Sequence, residues 1–361
     1  MNPDSAPIYD VAAVGAGPAG AQAAISVAHQ MRHALVLDAG KISRREGRAY
    51  WSKSVEFEDV PVFDGITGPK FKRALREWME ARPVKEAVIA SEQRLYGIEI
   101  RNAVLLKLRR EADGTFALDC SVSRIGKDGS TERETFRARR VIVASGFEDI
   151  WPNIEADPSA ERLFNKYRMV FRYAGNRRGW HVCIRCDGHL HVNEPMAFYG
   201  VGDYIYEMVV GAQDFTDKLT ILTNGRPHGM SPPVLEQIKR RSIQIDERPI
   251  RRHIGEGTNL IGVEMEDGGR LFFHGFFVDE GLEPNTAFLE GWGCRTDEDG
   301  LLVVDEDNQV LDESGEPIPG LYAAGDVVAG ERKLIAAAFA MGQNAALCAT
   351  DSLRRWHFPG D

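Results

Sequence analysis

Residues 8–20 read Ile-Tyr-Asp-Val-Ala-Ala-Val-Gly-Ala-Gly-Pro-Ala-Gly, and this stretch decides the fold. Residues 8–14 are a short β-prone run, and Gly15, Gly17 and Gly20 follow it with G-x-G-x-x-G spacing. The small, apolar residues 19–28 then predict a helix lying close against a sheet. Ala34-Leu35-Val36-Leu37 is a second buried strand ending at Asp38, about 20 positions past the glycines, where a carboxylate can take a ribose hydroxyl. A lone glycine fingerprint is a weak signal. With a strand before it, a helix after it and Asp38 at that distance, it predicts a βαβ unit for a dinucleotide. Gly15 permits the tight turn, Gly17 lets the backbone approach the pyrophosphate, and Gly20 allows close packing behind it.

Further along, residues 70–81 predict a helix with Phe71, Leu75 and Trp78 at helical spacing, ended by Pro83. Residues 103–143 read as a meander of strands broken at Asp113-Gly114 and Lys127-Asp128-Gly129-Ser130, closing with Val141-Ile142-Val143-Ala144-Ser145-Gly146. After Trp151-Pro152 a second α/β region begins. Its strand 196–199 leads into Gly200-Val201-Gly202, which echoes the first turn. The chain then returns to the first region near residues 275–281. It finishes with Leu321-Tyr322-Ala323-Ala324-Gly325-Asp326 and an apolar helix over 334–349. The repeat that matters is the doubled nucleotide-fold unit.

Cys183-Ile184-Arg185-Cys186-Asp187-Gly188 adds chemistry. A CxxC pair has three readings. Zinc would need about two more ligands. His181, His189 and His191 are near in sequence, but alternation along an extended strand would scatter them. Two structural cysteines are the bland reading. Redox use is preferred, because CxxC closes a small ring and lowers a thiol pKa, and Asp187 offers a proton relay. Cys120, Cys294 and Cys348 have no partner at motif spacing and read as packing residues. The glycine turn and the CxxC together suggest a flavin that exchanges electrons with a disulfide.

Composition narrows the class. The 361 residues are long enough for two compact domains, and the net charge of −10 argues against a nucleic-acid partner. The short, acidic start lacks the features of a signal peptide, and the apolar run at 334–349 contains Gln343 and Asn344. The expectation is a cytoplasmic enzyme with no membrane span, no nucleic acid and no metal.

The second glycine motif is unusual. Tyr204, Ile205 and Tyr206 stand where small residues normally let the helix approach, and Thr223-Asn224-Gly225-Arg226 holds one arginine where an NADPH pocket normally has two. The nicotinamide site of this half is expected to have decayed or changed ligand.

On these blocks the chain resembles the low-molecular-weight thioredoxin reductase family over nearly its whole length. The matching residues are Val14–Gly20; Glu56-Phe57-Glu58-Asp59-Val60-Pro61 with Thr67-Gly68-Pro69; Ala144-Ser145-Gly146; Cys183–Gly188; Glu283-Pro284-Asn285-Thr286; and Ala324-Gly325-Asp326. The resemblance implies an α/β fold of two Rossmann-like three-layer nucleotide-binding domains. It implies an FAD domain (1–148 and 279–361) split by an inserted CxxC-bearing domain (149–278), and a homodimer. It implies that Cys186 is the flavin-side thiol, Cys183 the interchange thiol and Asp187 the acid/base. FAD would be held by Gly15, Gly17, Pro18, Ala19 and Gly20, by Asp38 and Ala39, and by Val104, Ala144 and Gly146. Gly325 and Asp326 would bind its phosphate-ribityl region, and Lys333 and Leu334 would approach the ring. Asp59 stands where the family usually has an asparagine near the flavin.

The departures imply a branch that does not use pyridine nucleotide, of the deeply rooted or ferredoxin-linked thioredoxin reductases or the diflavin-linked disulfide oxidoreductases. The paired arginines are missing, Phe339 sits among small residues, and about a dozen extra residues surround Pro83–Gln93. The expected reaction is two-electron exchange between FAD, the Cys183–Cys186 disulfide and a thioredoxin-like protein or other protein dithiol or disulfide. The alternatives are an ordinary NADPH-dependent reductase and a dithiol oxidase running the same site in reverse, with a second flavin, a quinone or oxygen as acceptor. In place of NADPH the space could take a second FAD, or the chain's own Trp356 or Phe358 from the tail. Ferredoxin is disfavoured on charge.

Overall fold

The computed structural model describes residues 7–43, 56–89, 91–123, 131–154, 172–330 and 332–354. Lys127 to Ser130 and Arg355 to Phe358 lie outside the described residues. The chain forms two compact units, each α/β. One comprises Met1–Tyr50, Lys70–Glu148 and Glu283–Asp361; the other comprises Trp51–Pro69 and Asp149–Leu282.

In the first unit the strands Pro317–Ala323, Arg133–Val143, Ile8–Val14, His33–Asp38 and Glu92–Asn102 lie side by side in that order and run parallel. Register puts Val14 opposite both Val143 and Leu37, and Ala323 opposite Val143. Their carboxyl ends therefore finish level, and this is the edge of a parallel sheet at which ligands bind. The antiparallel strand Lys85–Ile89 extends the edge beside Glu92–Asn102. The extra residues noted around Pro83–Gln93 thus include one more strand.

Side chains alternate across this sheet. Ala12, Val14, Leu35, Leu37, Val141 and Val143 share a core with the antiparallel pair Val104–Arg110 and Phe116–Ser121. The opposite set is covered by the helices Pro18–His29 and Ile335–Asp351, which pack against each other. That contact is backbone to backbone: a Cβ at Gly342 would lie 2.2 Å from the Ala19 carbonyl oxygen. The helix predicted over 70–81 runs Gly68–Glu80. Phe71 and Leu75 are buried, but Met79 completes the inward row and Trp78 is 41% exposed. Residues 71, 75 and 79 follow one i, i+4 row, and residue 78 falls beside it.

In the second unit Trp180–His181, Gly275–Val278, Met196–Tyr199, Leu219–Leu222 and Gln244–Asp246 form a five-stranded parallel sheet. Gly275–Val278 is an interior strand of this sheet, so the return to the first unit comes after Leu282. The hairpins of Ile250–Glu256, Asn259–Met265 and Arg270–Phe272 form a separate antiparallel sheet. No helix among the described residues is long and apolar enough to cross a membrane.

Candidate active site

In the first unit the expected cofactor residues follow the level strand ends directly. Gly15 has φ +117° and donates its N–H to the Leu37 carbonyl; a Cβ there would lie 2.3 Å from the Ala144 oxygen. Gly20 is equally constrained, since its Cβ would meet the Gly15 oxygen at 1.9 Å. Gly17 is the opposite case. It begins the helix Pro18–His29 with no side-chain cap, and a Cβ added to it meets nothing within 4 Å. The helix start therefore lacks a side-chain cap and has open space beside Gly17, which suits an anion.

Ala144 is hydrogen-bonded to Val14, and Gly146 (φ +64°) also has open space where a Cβ would stand. Between them the buried Ser145 hydroxyl oxygen has no partner among the described residues. A Cβ on Gly325 (φ +79°) would lie 2.8 Å from the Ala19 Cβ, so the Gly325-Asp326 turn packs against Ala19 only without a side chain at 325. Asp38 is almost buried. Its carboxylate accepts from the Gly40 amide at 3.1 Å and pairs with Arg76 at 3.1 Å. A carboxylate has about four acceptor positions, so two remain for a ribose diol. Arg76 was not foreseen, and its i, i+4 spacing to Glu80 is the one sequence signal it carries. Ala39 begins the turn after Asp38, and Val104 is half-buried at the start of its strand. Leu334 precedes the helix Ile335–Asp351, and Lys333 donates to the Val328 carbonyl. Asp59 is exposed and belongs to the second unit. An uncapped glycine turn, an unpaired buried hydroxyl and a ribose-competent carboxylate fit an FAD.

In the second unit Cys183 and Cys186 form a disulfide. Cys183 precedes the single helical turn Ile184–Asp187, and the Cys186 N–H donates to the Cys183 sulfur at 3.2 Å. That N–H favours charge on Cys183 once the pair is reduced. Asp187 pairs with His181 Nδ1 at 3.0 Å. Strand alternation predicts that the three histidines scatter; His189 does stand apart, whereas His181 and His191 meet. His181 ends a strand and His191 ends the turn Gly188–His191, so the two rings meet with Nε2 atoms 2.8 Å apart. His189 instead contacts Glu58 at 2.7 Å on the surface.

The second glycine turn is closed. Gly202 has φ +86°, and its N–H donates to the His228 carbonyl at 2.8 Å. The segment around His228 is latched at both ends: its amide donates to Glu247, and the Ser231 amide donates to Asp203 at 2.7 Å. That bond holds the Asp203 carboxyl below the usual range, so a negative charge sits in the first turn of the helix Asp203–Ala212. Arg226 is engaged by both Glu280 oxygens and lies over the Tyr199 ring. Tyr206 packs on the core around Ile205, and only Tyr204 is exposed, its hydroxyl donating to the Asp279 carbonyl.

The chain matches the family model "Pyridine nucleotide-disulphide oxidoreductase" over residues 9–342. Thioredoxin reductase of Aquifex aeolicus is 28% identical over 351 residues, covering 94% of this chain and 92% of that protein. Thioredoxin reductase of Listeria innocua is 26% identical over 350 residues, with 94% and 93% covered. The solved structure of thioredoxin reductase from Streptococcus pyogenes superposes with a TM-score of 0.75 at 19% identity, covering 98% of this chain and all of that one, a likeness of fold.

Proposed function

Because the chain belongs to the pyridine nucleotide-disulphide oxidoreductase family, we propose that it exchanges two electrons between FAD, the Cys183–Cys186 pair and a thioredoxin-like protein, without NADPH. It is an enzyme of the flavin-type disulfide oxidoreductase class. The observation that carries nucleotide independence is the Gly202 amide bonded to the His228 carbonyl. A dinucleotide pyrophosphate needs that helix start free and uncharged. Here the amide is occupied, Asp203 adds a negative charge, and Arg226 is committed to Glu280. A second FAD meets the same obstruction, so the reading is one FAD per chain.

FAD bound at Gly15–Gly20, Asp38 and Asp326 would supply two-electron exchange with a dithiol. The protein's own groups do the rest. Cys183, supported by the Cys186 N–H, is the nucleophile towards a partner disulfide. Cys186 resolves the mixed disulfide. Asp187, held by His181, carries the proton beside Cys186. The reduced-thiol conditions this chemistry needs match a cytoplasmic setting.

Anaerobic mixing with excess NADPH, NADH or dithiothreitol tests the reading. Dithiothreitol should bleach the flavin through the cysteines, and both nucleotides should leave it oxidised on the turnover timescale. Rapid bleaching by NADPH would restore the ordinary reductase. Failure of dithiothreitol would remove the redox role of the pair.

A further inference from the structure

We infer that Asp187 exchanges its proton with water through a buried relay, His181–His191–Glu194, which reloads the acid beside the disulfide. This rests on the reading above, in which Asp187 serves the Cys183–Cys186 pair. Four groups stand in unbroken hydrogen-bond order. The Asp187 carboxylate meets His181 Nδ1 at 3.0 Å, His181 Nε2 meets His191 Nε2 at 2.8 Å, and His191 Nδ1 meets the Glu194 carboxylate at 3.0 Å. Both imidazoles are buried, whereas the Glu194 side chain is 41% exposed. The line runs from the disulfide turn to solvent.

The packing fixes both rings. His181 stacks on Phe277 with centroids 4.9 Å apart, and Phe277 meets His191 edge-on. Gly275 makes the room: a Cβ there would lie 3.0 Å from the His191 ring. The charged and titratable groups acting on His191 are His181, Asp187 and Glu194; burial, then His181, lowers its pKa, and both carboxylates raise it. A resting neutral ring is what a relay needs, because a fixed cation would trap the proton.

Proton counting shows how the line works. Three hydrogen bonds need three protons, and two neutral imidazoles supply two. The third can sit at either end. With it on Glu194, His191 donates to His181 and His181 donates to Asp187. With it on Asp187, every bond is reversed. A shift of three protons, each along its own hydrogen bond, therefore moves one proton from the surface to Asp187 without moving a heavy atom.

Reduction by dithiothreitol isolates the step. One of its thiolates bonds to the Cys183 sulfur and breaks the Cys183–Cys186 bond. Cys186 leaves with the electron pair and takes the proton of Asp187, which the relay replaces from water. The reductant's second thiolate then displaces Cys183 as a thiolate. Dithiothreitol becomes its cyclic disulfide, and the pair gains two electrons. The two protons lost by the reductant enter solvent, and one returns through Glu194.

The test is the first phase of this reduction in the FAD-loaded protein, quenched by alkylation and read by mass spectrometry in H2O–D2O mixtures. A positioned acid–base group contributes on the order of 100-fold or more. Asp187 keeps slight access to water, so His191→Gln, which preserves a hydrogen bond but cannot pass a proton, should slow the step about 10-fold. Its rate should also turn from a curved to a linear dependence on deuterium fraction, a change that a structural role would not produce. Glu194→Gln, at the surface, should shift both readouts in the same direction and decides alone if His191→Gln does not fold. Wild-type rates and curvature in both variants, with Asp187→Asn slow, would overturn the relay and leave the disulfide reading standing. A wild-type pair that dithiothreitol does not reduce would instead remove the underlying reading.

Discussion

The Gly202 amide donates to the His228 carbonyl across 2.8 Å, and the proposed independence from pyridine nucleotide rests on this one bond. The neighbouring Arg226–Glu280 pair is structural by the same logic, since Glu280 is 14% exposed and accepts both guanidinium contacts. Arg226→Ala should therefore lower unfolding stability by about 1–2 kcal/mol, because it strands a mostly buried carboxylate. It should leave the response to NADPH unchanged. Denaturant titration and anaerobic stopped flow check the two halves, and an NADPH rate that collapses in the variant would return Arg226 to the nucleotide.

Gly17→Val should keep the fold and lose FAD. The Gly17 backbone, at φ −75°, is one that any residue adopts, and the space beyond its Cβ is empty of protein. Gly20→Ala should lose stability as well, because its Cβ would lie 1.9 Å from the Gly15 oxygen. Flavin absorbance per polypeptide, beside circular dichroism, separates these outcomes. Full occupancy in Gly17→Val would refute the placement.

Cys183→Ser should leave Cys186 as a lone thiolate and give a long-wavelength charge-transfer band with oxidised flavin. Cys186→Ser should give none. A band that follows Cys183 instead reverses the two sulfur roles.

Acid should destabilise the protein through its buried imidazoles. Burial pushes His33 and His191 below the ordinary 6.5. The unfolded chain then binds protons that the folded chain refuses, so stability is complete above 6.5 and is lost as the pH falls through the window below it. His33→Phe keeps the ring contact with Tyr9 and should flatten part of this loss. Urea midpoints at about pH 7.5 and about pH 5.5 measure it; an unchanged pH slope in the variant would discard His33 as a source.

Leu75→Ala should cost about 2–5 kcal/mol, whereas Trp78→Ala should stay within about 1 kcal/mol. Leu75 is buried and Trp78 stands at the surface. Equal losses would contradict the inward row 71, 75, 79.

The sequence by itself determined the local devices. The βαβ unit with Gly15, Gly17, Gly20 and Asp38, the CxxC and the irregular second glycine turn are all legible, because each is a short local pattern, and at Gly15 and Gly202 the backbone also takes a positive φ that favours glycine. In the helix Gly68–Glu80 the third inward residue is Met79 and not Trp78, because helical spacing admits both and only packing chooses between adjacent faces. Tertiary structure alone decided three further features. It bonded Asp38 to Arg76, put the His228 carbonyl on the Gly202 amide, and joined His181 to His191. Each pairs groups from different elements whose meeting depends on sheet order and on where a strand or turn ends. Hydrophobic periodicity carries no information about that. The two histidines illustrate it: a strand alone would scatter them, and the turn Gly188–His191 brings them back together.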